Sequence, residues 1–265
     1  MKVGKQTNAF TAISTSDTHS INVRGKELSK ELIGKIDFTS YFFFLVTGQI
    51  PNADQKAMLD AVLVAIAEHG LVPSNQAARM TLAAAPDSLQ GAVAAGILGC
   101  GSVVLGSTEA CGRFLAEIRD TAQREGQPVR ETAIKALKGL REAKKPVPGF
   151  GHPQHKEGDP RAIRLISYAH ERGTAGTYVS MIEEMAGLVP EIWGRDLPMN
   201  VSGAIPAVIL DVGFPLTALK GIPILARTAS LIAHLNEEMS RSIGFILAGH
   251  AAQAITYDGR PLGEV

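Results

Sequence analysis

The chain has 265 residues, with 26 lysines and arginines against 26 aspartates and glutamates, so its formal net charge is zero. That balance excludes a global basic field for nucleic acid or an anionic membrane and leaves only a local basic pocket open. Hydrophobic residues make up 45% of the chain, ample for a buried core in one domain or two that share it.

Cys100 and Cys111 lie among small apolar residues and read as reduced core residues, neither a disulfide nor a metal site. The polar N-terminus has no signal-type apolar run. No stretch approaches the roughly 18 uninterrupted apolar residues of a membrane span, so a cytoplasmic location is expected.

In chain order, residues 11–24 predict a short β-hairpin around the turn-prone Ser16-Asp17-Thr18. After Gly25 the pattern turns helical. Residues 26–33 predict a short amphipathic helix. Residues 38–47, with Tyr41, Phe42, Phe43, Phe44 and Leu45, predict a buried helix ended by Gly48 and Pro51. Asn52 or Asp54 starts the next, which runs to His69, and Pro73 opens another to Ala85. Residues 88–100 are rich in Ala and Gly, which allows close helix contacts. Glycines 99, 101 and 106 bracket a break before a helix at 108–124.

Residues 129–143 place Val129, Ala133, Leu137 and Leu140 on one stripe with basic residues opposite, a half-exposed helix. Helices follow at 160–172 and 175–187. Residues 190–206 read as irregular, 208–211 as a short apolar run, and 223–241 and 243–255 as two last helices. Strand signals are otherwise scarce, so the class is all-α. Helices apolar all round in a chain this short imply burial against a second subunit.

The stretch Gly149-Phe150-Gly151-His152-Pro153-Gln154-His155-Lys156-Glu157-Gly158-Asp159-Pro160-Arg161 concentrates the chemistry. Its glycines let backbone approach a ligand closely. Asp159 can cap a helix whose first residue is Pro160. A histidine on such a loop can move a proton either way near neutral pH. Two readings stand at this point, a solvated surface loop and a reactive one.

These residues resemble the citrate synthase superfamily, whose signature is Gly-Phe-Gly-His followed by Asp-Pro-Arg. Val23-Arg24-Gly25 with Phe38 to Pro51, Glu68-His69-Gly70-Leu71 with Ser74, and Ala226-Arg227-Thr228 with His234 and Glu237 are similar to three further family segments in the same order. In size the chain is closest to the short citryl-CoA lyases and to the citryl-CoA lyase module of ATP-citrate lyase.

The resemblance implies an all-α fold with a large domain (1–108 and 208–265), a small domain (109–207) and an active site in the cleft between them. It implies citryl-CoA, acetyl-CoA and oxaloacetate as ligands, with coenzyme A entering as a thioester and no permanent cofactor or metal. It also implies a homodimer or higher homo-oligomer, with a citryl-CoA synthetase as a further partner.

The same resemblance assigns roles. His152 and Asp211 become the acid/base pair of a retro-aldol cleavage of citryl-CoA. His69, Lys156, Arg227 and His155 bind substrate carboxylates, and Gly149, Phe150 and Gly151 frame coenzyme A. One departure bears on direction: Val104 stands where citrate synthases carry a histidine that donates to the thioester oxygen. Loss of one such donor costs about 3–4 kcal/mol of barrier, which favours the lyases, where that position is hydrophobic. Ser102, Ser107 or backbone N–H groups are the candidate replacements. The alternatives are a related thioester, citramalyl- or methylcitryl-CoA, or a non-catalytic homologue that binds CoA or a carboxylate.

Overall fold

A computed structural model describes residues 4–151, 157–260 and 262–263. Three short antiparallel strands open the chain: β1 (Ser14–Ser16), β2 (Ile21–Val23) and β3 (Lys26–Glu27), paired in that order. The predicted hairpin is there, with Ser14 opposite Val23, but shorter than expected and joined by a third strand. One π-helical turn, Leu28–Leu32, replaces the helix expected at 26–33.

Eleven α-helices follow among the described residues. The first four are α1 (Phe38–Thr47), α2 (Ala53–Ala67), α3 (Pro73–Ala84) and α4 (Leu89–Leu98). Next come α5 (Gly106–Glu125), α6 (Val129–Glu142), α7 (Pro160–Glu171) and α8 (Thr177–Trp193). The last three are α9 (Val201–Asp211), α10 (Gly221–Glu238) and α11 (Gly244–Ala254).

Local chemistry explains most boundaries. Asp37 accepts from Ser40 N at the start of α1, and Gly48, in the left-handed region, ends it. Asn52 and Gln55 form a reciprocal capping box on α2. Asp159 caps α7 ahead of Pro160.

The expected irregular stretch at 190–206 is mostly helix. α8 continues through Pro190 to Trp193, and α9 contains Pro206. α9 is the buried axis of the molecule, with Ala204 to Ile209 at most 1% exposed except for Pro206, itself buried. It packs against α5, α7 and α8 on one side and touches α2 on the other. α10 packs on α2, α3 and α4, and α11 on α3. Residues 216–238 reach the length and mean hydropathy of a membrane-crossing helix, yet they form part of this packing and turn a buried arginine inward.

Candidate functional site

Arg227 sits in the middle of α10 and is 3% exposed. Burying a guanidinium is costly unless an anion and a full set of acceptors receive it. Here the acceptors are neutral and distant: Nη1 lies 3.3 Å from Asn75 Oδ1 and Nη2 lies 3.4 Å from the Ile66 carbonyl. Nε has no hydrogen-bond partner among the described residues. Burial pulls the Arg227 pKa below its ordinary value. Glu68 and Cys100 oppose that shift and the nearby positive charge of Arg161 adds to it. Among the described residues no carboxylate bonds this guanidinium directly; Glu68 acts on it only at longer range.

The walls come from separate elements. Asn75, fully buried in the first turn of α3, donates to the Gly70 carbonyl at 2.8 Å while its oxygen faces Arg227. Glu68 ends α2 and accepts from the backbone N–H of His69 (2.9 Å) and Gly70 (2.5 Å). His69 is thus set in a turn whose backbone is tied to the Glu68 carboxylate at two successive amides. Ser230 and His234, three and seven residues after Arg227 on the same helix face, both bond Glu68. Arg161, in the first turn of α7, holds buried Asp159 with two nitrogens at 3.0 and 2.8 Å. It also lines a groove of about 720 Å³ between α2 and α7, together with Ala57, Val64, Leu165 and Tyr168.

A second cluster lies where the glycine loop meets the start of α9. Gly149 and Gly151 both have left-handed backbones (φ +85° and +79°). Asn200 caps α9, its backbone N–H donates to the Gly149 carbonyl at 3.0 Å, and its side-chain amide donates to the Gly151 carbonyl at 2.6 Å. Ser202 and Ser107, from the first turns of α9 and α5, pair through their hydroxyls at 2.8 Å. Val104, half-buried, precedes Leu105, whose φ of +66° turns the chain into α5.

Two expectations are corrected. Asp211 does not present a free carboxylate. It ends α9 and accepts from the backbone N–H groups of Gly176 (2.8 Å), Tyr178 (2.9 Å) and Val179 (2.9 Å). α8 has no cap of its own, so a carboxylate from the next helix satisfies its orphan donors and opposes its dipole. Asp211 is therefore a structural cap.

Gly149 and Phe150 do not frame open space either. A Cβ on Gly149 would stand 2.7 Å from Gly203 Cα and 2.8 Å from Cys111 Sγ, and Phe150 is a core residue bridged to Met199. The glycine is required by helix–loop packing, and only Gly151, with Leu197 at 3.6 Å, has room beside it. His152, His155 and Lys156 lie outside the described residues. Arg227 bonds the Ile66 carbonyl near the end of α2, and His69 follows two residues after the last residue of that helix. The structure adds Asn75, Glu68 and Arg161, which the sequence reading did not assign to the site; the Asp-Pro-Arg signature was the available signal for Arg161.

The "Citrate synthase, C-terminal domain" family matches residues 5–246. The chain belongs to the citrate synthase family. Among sequence relatives, the citrate synthase of Synechocystis sp. is 28% identical over 212 residues, 78% of this chain and 51% of that protein. The citrate/2-methylcitrate synthase of Bacillus subtilis is 26% identical, over 77% and 53%. The chain thus spans about half the length of the curated relatives it matches.

Among solved structures, citryl-CoA lyase from Hydrogenobacter thermophilus superposes with a TM-score of 0.84 at 30% identity, covering 97% of both chains. ATP citrate lyase from Methanothrix soehngenii, solved with citrate and coenzyme A, gives 0.73 at 22% identity and covers 99% of this chain and 44% of that one, which speaks to fold alone.

Proposed function

We propose that the protein is a citryl-CoA lyase, cleaving citryl-CoA to acetyl-CoA and oxaloacetate. The observation that carries this reading is the buried Arg227, whose neutral hydrogen-bond acceptors, and whose Nε unpartnered among the described residues, suit a substrate carboxylate. Its end-to-end similarity to a citryl-CoA lyase of the same size supports the choice of reaction. In the proposed cycle Arg227 and His69 hold carboxylates of the citryl group. His152 takes the proton of the tertiary hydroxyl as that carbon becomes the ketone of oxaloacetate. The C–C bond electrons pass to the thioester as an enolate, whose oxygen Ser107 meets as a donor in place of the histidine that Val104 does not supply; a proton from solvent at the enolate carbon completes acetyl-CoA, and His152 returns the hydroxyl proton to solvent. Lys156 and His155 are proposed as further carboxylate contacts and Gly151 as the backbone that passes the thioester.

The same reading divides the chain into a large domain (1–108 and 208–265) and a small one (109–207), acting as a cytoplasmic homo-oligomer, with a citryl-CoA synthetase as a candidate partner.

A second reading is favoured by one specific observation. With Asp211 consumed as a cap, a protein that binds a CoA thioester or an acidic metabolite without turnover is the rival. Incubation with synthetic citryl-CoA, and with citramalyl- and methylcitryl-CoA, followed as oxo-acid release, separates the two. Stoichiometric oxaloacetate and acetyl-CoA support the lyase. Tight binding of every thioester with no release of oxo acid overturns it.

A further inference from the structure

The structure assigns His234 as a positioning residue for the anion pocket, an inference that rests on the reading of Arg227 and His69 as carboxylate binders. His234 is on α10, one face-repeat beyond Arg227, with a side chain 16% exposed. Its two ring nitrogens reach three residues on two elements. Nδ1 lies 3.1 Å from Arg79 Nη1 on α3. Nε2 lies 3.1 Å from Glu68 Oε2 at the end of α2 and 2.9 Å from Asn75 Nδ2. A guanidinium only donates, so Nδ1 is the accepting nitrogen and the ring proton of this tautomer sits on Nε2, directed at Glu68; the Asn75 amide nitrogen, itself a donor that serves the Gly70 carbonyl, packs beside Nε2 without a hydrogen bond to it.

The consequence runs through two arms. The first is Glu68. Its Oε2 is gripped by His234 and Ser230, which leaves Oε1 fixed on the N–H groups of His69 and Gly70. The second is Asn75. Its amide, wedged between His234 and the Gly70 carbonyl, presents its oxygen to Arg227. His234 thereby sets, through Glu68, the turn that carries His69, and through packing it borders Asn75, whose amide the Gly70 carbonyl of the same turn holds toward Arg227.

The imidazole is in turn immobilised by Arg79, 2% exposed, which bonds Glu238 at 2.6 Å and Glu237 at 2.8 Å. Those two ion pairs do not involve the ring. Removing the imidazole therefore leaves α3 and α10 joined and loosens the 68–70 turn.

The test compares the wild type with His234→Ala, His234→Gln and His234→Asn. Gln keeps a donor near the Nε2 position and Asn keeps an acceptor near Nδ1. Misplacing binding groups by about 1 Å costs on the order of 100-fold, so His234→Ala should raise KM for citryl-CoA about 10- to 100-fold with a smaller change in kcat. Thermal unfolding should stay close to wild type, and Gln should recover more of the affinity than Asn.

Without any ligand, amide hydrogen exchange at His69 and Gly70 should accelerate in His234→Ala while the rest of α10 keeps its protection. Unchanged KM and unchanged exchange at those two amides would overturn the assignment. So would an effect equal in all three variants that tracks loss of fold. A wild type that neither cleaves nor binds the thioesters defeats the proposed function, and the exchange measurement still decides His234 by itself.

Discussion

Replacing Arg227 with methionine should stabilise the empty protein and disable it. Methionine fills most of the volume of the arginine stem and brings no charge. The guanidinium it removes makes two long hydrogen bonds to neutral acceptors, 3.3 and 3.4 Å, and leaves Nε without a partner. Two such bonds contribute about 1 kcal/mol each at most. Keeping a charge 3% exposed without a directly paired anion costs several kcal/mol.

The balance favours methionine by about 1 kcal/mol or more, a Tm higher by about 2–4 °C for a chain of this size. Ligand reverses the order. A wild type saturated with oxaloacetate or citrate at about 100 times its Kd gains about 2.7 kcal/mol. The methionine variant should gain almost nothing, because losing one partner of a buried charge pair costs about 2–5 kcal/mol of binding. Differential scanning calorimetry of both proteins, with and without ligand, reads the crossing directly. A variant that melts well below wild type when empty would make Arg227 a structural anchor. Equal ligand-induced shifts in the two proteins would remove it from the pocket.

Three further outcomes follow from the same geometry. Asp211→Ala strips α8 of its three-amide cap and should cost about 1–2 kcal/mol of stability; kcat per folded molecule should remain within a few-fold of wild type, and a loss of several orders of magnitude in fully folded protein would restore Asp211 to the chemistry. Burial pushes the Asp159 carboxyl up, but Arg161 and the Val201 and Arg161 amides outweigh it and hold the pKa below 3.8. A depressed folded pKa gives stability that is complete above the unfolded value, about 3.9, and is lost as pH falls through the folded one. Urea titrations of wild type and Asp159→Asn at pH 7 and pH 3 should therefore show a wild-type advantage that shrinks on acidification, and an advantage that grows would refute the pairing. Gly149→Ala forces a left-handed alanine into backbone 2.7 Å away and should destabilise more than Gly151→Ala, whose nearest neighbour is a leucine methyl at 3.6 Å; equal chemical-denaturation midpoints would contradict the packing role.

What the sequence made legible was local. Asp37 with Gly48, Asn52 with Gln55, and Asp159 with Pro160 each act within one turn, so their helices could be bounded from residue type alone. Pro190 and Pro206 misled for the opposite reason. A proline inside a helix costs about 3 kcal/mol locally, and that cost is offset only by tertiary burial, here of Ile205, Val208 and Ile209 on an axis helix. Asp211 illustrates the same limit at the site. The family resemblance made it one half of an acid/base pair, while the donors that claim it lie 32 to 35 residues earlier in the chain. The spacing of Arg227, Ser230 and His234 revealed a shared face, but nothing local to them announced Glu68 or Asn75 as what that face meets.

On the proposed reading, the pocket also bears on how a chain that spans about half the length of the curated citrate synthases it matches could capture a carboxylate. Among the described residues, the groups that bond or electrostatically shift the Arg227 guanidinium, namely Ile66, Glu68, Asn75, Cys100 and Arg161, come from within residues 66–161. α10 delivers the arginine into them, and the buried Arg79–Glu238 pair locks α10 to α3. Anion capture thus needs only the ends of α2, α3, α4 and α7 around one helix. Proton transfer is a separate demand, and the carboxylates that border the pocket are already engaged: Glu68 by two amides and two side chains, Asp159 by Arg161 and the Val201 amide. In the proposed cycle binding and proton chemistry therefore rest on different segments of the chain, so substitutions at 227 should act chiefly on affinity and substitutions at His152 chiefly on kcat.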